Sequence, residues 1–159
     1  MPADPFPIRL TNVCKTYNSG VVLADISLEV PVGEFVVLVG RSGSGKSTLL
    51  NLIGALDVPS RGEIHLLGRS LTALTEEQRS KVRCHDLGFV FQFFNLIPTL
   101  TVTENIKLPL ALNNVGKREA SARAQQVLRE LGMADCGSRF PEELSGGEQQ
   151  RIAIARAVI

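Results

Sequence analysis

Eight consecutive residues, Gly40-Arg41-Ser42-Gly43-Ser44-Gly45-Lys46-Ser47, carry the chain's clearest chemical pattern. They match G-x-x-x-x-G-K-[ST] at every fixed position. Glycines without a Cβ let the backbone curl around a phosphate and turn successive N–H groups inward. A helix starting near Lys46 adds the positive end of its dipole at the same point. In that arrangement Lys46 neutralises β- and γ-phosphates, Ser47 offers its hydroxyl to Mg²⁺, and Thr48 reaches a further phosphate oxygen. The plainer alternative is a flexible glycine–serine loop, which the flanking strand and helix patterns weigh against.

A second glycine-rich helix start follows about a hundred positions later, at Leu144-Ser145-Gly146-Gly147-Glu148-Gln149. Ser145 before two glycines is again an arrangement that suits an anion. It is equally a simple capped helix start, with Glu148 complementing the dipole in the first turn. Other candidates are weaker. Asp25 ends the apolar run Val21-Val22-Leu23-Ala24 but lacks a companion acid, and His65 and His85 read as ordinary strand or surface histidines. Cys14, Cys84 and Cys136 are too far apart for metal-ligand spacing and suit ordinary thiols in a reducing compartment.

The elements that must position these residues are legible from periodicity. Ile8–Val13 and Ile26–Val30 alternate as half-buried strands do, and Pro31-Val32-Gly33-Glu34 makes a turn after the second. Phe35–Val39 is continuously apolar, the pattern of a strand covered on both faces. Lys46–Leu56 carries a helical stripe at 49, 50, 52, 53 and 56. Pro59–Gly62 reads as a turn, Glu63–Leu67 as a strand, Thr75–Gln78 as a capping box opening a short polar helix, and Leu87–Phe91 as another strand. From Val102 the periodicity is helical, with Ala120, Ala124, Val127, Leu128 and Leu131 on one face and Gly132 closing the helix. The strands of alternating type with intervening helices, then a helical stretch, predict an α/β core with a helical insertion.

Composition bounds the function. The 159 residues are 44% hydrophobic with a net charge of +1, a single-domain size with no general field for nucleic acid. The densest basic group, Arg79, Lys81 and Arg83, suits a solvated helix face. No run approaches the roughly 18 apolar residues of a membrane span, and Met1-Pro2-Ala3-Asp4-Pro5 lacks the features of a secretory signal, so a cytosolic chain is expected.

In sequence order, the phosphate loop, a glutamine ending a strand (Phe89-Val90-Phe91-Gln92) and Leu144-Ser-Gly-Gly-Glu-Gln-Gln-Arg151 resemble the ATP-binding subunits of ABC transporters. The resemblance runs from about Ile8 to Ile159, and the segment Gly88–Ile106 looks most like the branch serving lipoprotein release and macrolide export. It implies an incomplete P-loop NTPase core with an antiparallel β edge subdomain and a helical insertion. Residues 1–92 would be the β-rich and P-loop core, 93–143 the helical subdomain, and 144–159 the signature motif and helix. Tyr17 matches the aromatic that stacks on adenine, though it also suits a surface tyrosine at a strand end. Gln92 matches the glutamine that senses Mg²⁺ and the attacking water. Leu144, Ser145, Gly146, Gly147, Glu148 and Gln149 match the signature that clamps ATP held by a second subunit. The implied assembly is a homodimer or pseudo-dimer closed by ATP and Mg²⁺, with a transmembrane permease as partner, on the inner face of the cell membrane, without nucleic acid. Phe89, Phe91, Phe93 and Phe94 would help form the permease groove or, more simply, fill the core. Arg41 stands where this branch often has proline.

The matched pattern stops at Ile159. In the family a buried strand ending in Asp-Glu follows the signature helix, the aspartate holding Mg²⁺ through water and the glutamate polarising the attacking water. The expectation is therefore a nucleotide-binding chain without its catalytic carboxylates, with apolar surface uncovered and a tendency to associate. A nucleotide- or partner-binding module without turnover is the alternative. A soluble ATPase acting on nucleic acid is disfavoured by the charge, and a phosphate-loop kinase by the signature.

Overall fold

The computed structural model describes residues 5–18 and 20–159. The residues 1–4, where a secretory signal would begin, lie outside the described set. Contacts divide the chain into two compact units, one running to Arg83 and the other from Cys84 to Ile159.

The first unit is built on a four-stranded antiparallel sheet of order β2-β1-β3-β4, made of β1 (Ile8–Tyr17), β2 (Gly20–Val30), β3 (Arg61–Leu66) and β4 (Arg69–Ser70). Ile8 pairs with Val30 on one side and with Leu66 on the other, so β1 is the central strand. Leu10, Val13, Leu23, Ile64 and Leu66 are buried. Helix α1 (Lys46–Ile53) packs against β2 and β3, burying Leu49 and Leu52. Burying side chains of that size contributes about 1.5–3 kcal/mol each. The turn expected at residues 31–34 is present, with the Glu34 N–H on the Pro31 carbonyl at 3.3 Å and Gly33 at φ 80°. The turn expected at Pro59–Gly62 is not a tight one, because Arg61 and Gly62 already belong to β3. The reversal comes instead at Leu67-Gly68, both at positive φ (51° and 75°), a two-residue connection to β4 that matches the right-handed strand twist. Leu67 in the left-handed region leaves no residue-type signal for that turn.

The polar helix α2 (Glu76–His85) starts as expected, the Gln78 side chain accepting from the Thr75 N–H at 2.8 Å. Its basic face is only partly solvated: Glu76 holds both Arg79 and Arg83 at 2.8 Å, and Arg83 also donates to the Ala55 carbonyl at 2.7 Å. Lys81 pairs with Glu77 and stays exposed.

Two expected strands do not form. Phe35–Val39 and Leu87–Phe91 make no sheet pairing, and the first run is open to solvent, with Phe35 at 89% and Val39 at 86% exposure. A continuously apolar strand needs flanking strands for its backbone and helices over its faces. The single sheet among the described residues supplies neither run with such a neighbour. The phenylalanines also depart from the core reading: none of Phe89, Phe91, Phe93 and Phe94 is buried, and Phe93 is 81% exposed.

The second unit packs α3 (Val102–Leu112) against α4 (Lys117–Glu130) and α5 (Gly146–Val158). Its core is formed by Val102, Ile106, Ala124, Leu128, Met133, Leu144, Ile152 and Ala155. Near the end of α5, Val158 is 73% exposed. Helix α4 ends as the sequence indicates: Gly132 takes φ 67°, its N–H reaches the Arg129 carbonyl, and the Met133 N–H reaches the Leu128 carbonyl at 2.8 Å. Asn105, fully buried on α3, accepts from the Ile97 N–H at 2.7 Å and donates to the carbonyls of Ile97, Leu100 and Thr101. One side chain thus holds a stretch that has no ladder of its own. Replacing Asn105 with alanine leaves the Ile97 N–H without that acceptor in a dry site, and a loss of about 1–3 kcal/mol is expected from denaturant midpoints of the two proteins.

Candidate functional site

The glycine-rich loop closes around Lys46. Its ammonium donates to the carbonyls of Gly40 and Arg41, both at 2.8 Å, and lies 3.4 Å from the Ser44 hydroxyl. Gly45 sits at φ 89° immediately before α1, and a Cβ there would meet a Leu23 methyl at 2.8 Å and the Val22 carbonyl at 3.1 Å. Glycine is therefore required both for the conformation and for the fit against β2. No side chain caps the first turn of α1 and no acid lies in it, so its N–H groups and dipole face an opening free of negative charge. That opening is a cavity of about 240 Å³ lined by Val22 and residues 42–48. A cradle of backbone donors beside a lysine ammonium and two hydroxyls is a seat for a polyphosphate.

Tyr17 lies at the end of β1 in the same unit, 41% exposed. Its hydroxyl donates to Asp57 at 2.7 Å. The Asp57 hydrogen bond, with a lesser push from burial, raises the Tyr17 phenol above its ordinary value. Burial raises the Asp57 carboxyl, but hydrogen bonds from Lys15, Tyr17 and the Val58 N–H outweigh it and hold the group below the usual carboxylate range. The loop residues 40–48 and Tyr17 thus belong to one unit.

Gln92 and the signature residues lie in the second unit. Gln92 is exposed, on a turn whose next residues, Phe94 and Asn95, are both left-handed at φ 60° and 47°. For phenylalanine that conformation is strained. Arg156 of α5 holds it, donating to the Asn95 carbonyl at 2.6 Å and the Phe94 carbonyl at 2.7 Å. Ser145, Gly146 and Gly147 are exposed at the start of α5. Ser145 is the helix cap: its hydroxyl accepts from the Glu148 N–H at 3.3 Å and donates to the Glu148 carboxylate at 2.6 Å. Leu144 is buried in the core, and the Gln149 amide donates to the carbonyls of Pro141 and Leu144. Among the described residues no group of three or more His, Cys, Asp or Glu is placed to hold a metal ion. Asp25 instead engages Cys14 at 3.3 Å across β1 and β2.

Sequence reasoning missed Lys15, Asp57, Asn105 and Arg156. Lys15 shares a strand face with Tyr17 by the period of two, a signal that was available. The others act from positions remote in sequence or through backbone carbonyls, which no residue pattern displays.

A protein-family model described as ABC transporter matches residues 23–159. The chain belongs to the ABC transporter family of ATP-binding proteins. It is 48% identical over 151 residues to the lipoprotein-releasing system ATP-binding protein LolD of Aquifex aeolicus, covering 95% of this chain and 67% of that protein. An uncharacterised ABC transporter ATP-binding protein of Mycobacterium tuberculosis is 49% identical over 155 residues, with 95% of this chain and 62% of the relative covered. Among solved structures, the ATP-binding cassette MJ0796 of Methanocaldococcus jannaschii, a dimer bound to ADP and phosphate, superposes with a TM-score of 0.86 at 43% identity. That match covers 95% of this chain and 68% of the cassette, so the chain spans about two-thirds of the relatives it matches. The P-loop α/β fold with its antiparallel β subdomain and helical part is thereby established. Among the described residues no helix is long and apolar enough to cross a membrane.

The capping box at the start of this ABC protein's α5 titrates. Hydrogen bonds from the Ser145 side chain and backbone hold the Glu148 carboxyl below its ordinary value. A lowered carboxyl contributes stability that is present above the unfolded-state value and lost as pH falls through the folded one. Glu148→Gln is expected to remove that part of the acid dependence, read as a shallower fall of the thermal midpoint with decreasing pH.

Proposed function

We propose that the chain is the nucleotide-binding part of an ATPase subunit that powers an ABC-type membrane exporter. The carrying observation is the loop closed on Lys46, with the uncapped start of α1 opening into the cavity beside it. Those groups fit ATP with Mg²⁺: residues 40–45 wrap the phosphates, Lys46 neutralises them, Ser47 holds the cation through its hydroxyl, and Thr48 takes a further phosphate oxygen. Tyr17 stacks on the base. When bound, the nucleotide–metal pair supplies a phosphoryl group for transfer to water. Gln92 would sense the cation and the attacking water, and its exposed neighbours Phe91 and Phe93 would meet the permease.

Ser145, Gly146 and Gly147 act on the nucleotide of a second cassette, closing a homodimer or pseudo-dimer at the cytoplasmic face of the membrane. The dimeric MJ0796 cassette supports this assembly, and the name of the LolD relative supports a role of the lipoprotein-release type.

Lys46→Ala is expected to weaken binding of Mg-ATP at least about tenfold in titration calorimetry, the loss of a charge-assisted contact. Unchanged affinity would remove the loop from the site. Ser145→Ala is expected to leave ATP affinity of the single chain nearly intact while reducing nucleotide-driven association in sedimentation. A large loss of single-chain affinity would contradict the role in trans.

A further inference from the structure

Lys15 is a lysine where the fold has no obvious use for one. It lies on β1 with only 7% of its surface exposed, and the strand's other buried residues, Leu10 and Val13, are apolar. A buried ammonium is tolerated only when its donors are satisfied. Here two of its three are placed: one goes to Asp57 at 2.6 Å and another to the Val58 carbonyl at 2.7 Å. The charge also sits over the Tyr17 ring, 4.8 Å from its centroid. Asp57 completes the circuit. One carboxylate oxygen takes Lys15 and the Val58 N–H, the latter at 2.7 Å, and the other takes the Tyr17 hydroxyl at 2.7 Å.

The placement of Asp57 matters as much as its bonds. It follows the C-terminal end of α1, tied back to it by its N–H on the Asn51 carbonyl at 3.3 Å. The same helix starts at Lys46, at the end of the phosphate loop. A tyrosine at a strand end ordinarily turns about two side-chain torsions. This one is held at its tip by Asp57 and on one face by the Lys15 ammonium, with 41% of its surface still open.

We propose that Lys15 and Asp57 are positioning residues that lock Tyr17 in register with the phosphate loop and leave a single ring face for a nucleobase. The proposal rests on the reading of Tyr17 as the base platform. Stacking on an aromatic ring depends on parallel overlap, so a ring free to swing loses part of the contact while the phosphate seat is untouched. The two residues therefore act on the base half of the ligand alone. A network serving only to fasten β1 to the turn after α1 would affect both halves or neither.

The chain contains one tyrosine and no tryptophan, so tyrosine emission and phenolate absorbance report on Tyr17 alone. The experiment compares Mg-ATP with inorganic tripolyphosphate, by calorimetry and by quenching of that emission, in the full 159-residue chain. Asp57→Asn and Lys15→Met are each expected to weaken ATP about fivefold, within the range of one lost stacking contact, and to change tripolyphosphate less than about twofold. Lys15→Arg, which keeps the charge, restores most of the ATP affinity. In Asp57→Asn the phenol ionises at lower pH than in the parent, because the carboxylate that opposes the phenolate is gone. Tyr17→Phe removes only an exposed hydroxyl and guards against misfolding of the other variants; it is expected to weaken ATP selectively as well. Equal losses for ATP and tripolyphosphate in Asp57→Asn would overturn positioning in favour of a purely structural tie. Unchanged ATP affinity in Asp57→Asn and Tyr17→Phe, with Tyr17→Ala still weakened, would overturn positioning and keep the base platform. Unchanged affinity for ATP in Tyr17→Ala would overturn the platform itself.

Discussion

The Lys46 ammonium is the point from which the first unit's geometry follows. By drawing in the carbonyls of Gly40 and Arg41 it bends the loop back over the start of α1. The helix then begins at a fixed place on β2 and β3, its N–H groups unfilled. Leu49 and Leu52 fasten the other side of the helix to the sheet. A phosphate seat of this kind is made of backbone, so its accuracy depends on what holds the backbone. Here that is one lysine, two left-handed glycines and the apolar underside of a short helix.

The second unit solves a different problem. The residues 92–101 have almost no regular hydrogen bonding, yet they carry the glutamine that the family resemblance singles out. Two side chains hold them: Arg156 at the carbonyls of 94 and 95, and Asn105 at 97, 100 and 101. Arg156 stands on α5, whose first residues are the signature. A segment strained at Phe94 and anchored to that helix shares its movements more readily than one packed by apolar contact alone.

Much of this was legible in the sequence and some was not, for identifiable reasons. The helix start at Lys46, the capping box at Thr75, the capped helix start at Ser145 and the Gly132 stop are local: residue type and spacing determine them, and the structure has them. The strands at Phe35–Val39 and Leu87–Phe91 were read from apolar runs, but a strand is a relation between two segments, and neither run has its partner among the described residues. Asp57 and Arg156 escaped notice because their importance lies in what they touch 40 to 62 positions away. Leu67 escaped because leucine rarely turns the chain left-handed.

The cap on α5 makes its N-terminus a guarded seat. Glu148 already takes the Ser145 hydroxyl proton and the Ser145 N–H, at 2.6 Å and 2.7 Å. An anion arriving there meets a resident carboxylate and must displace it from the serine while enduring its charge. Small free anions gain too little from one helix end to do so. A phosphate delivered already bound, with its charge partly neutralised by a lysine and a divalent cation, meets much less repulsion. In the dimer proposed above, the serine is thereby reserved for a guest that another subunit carries in.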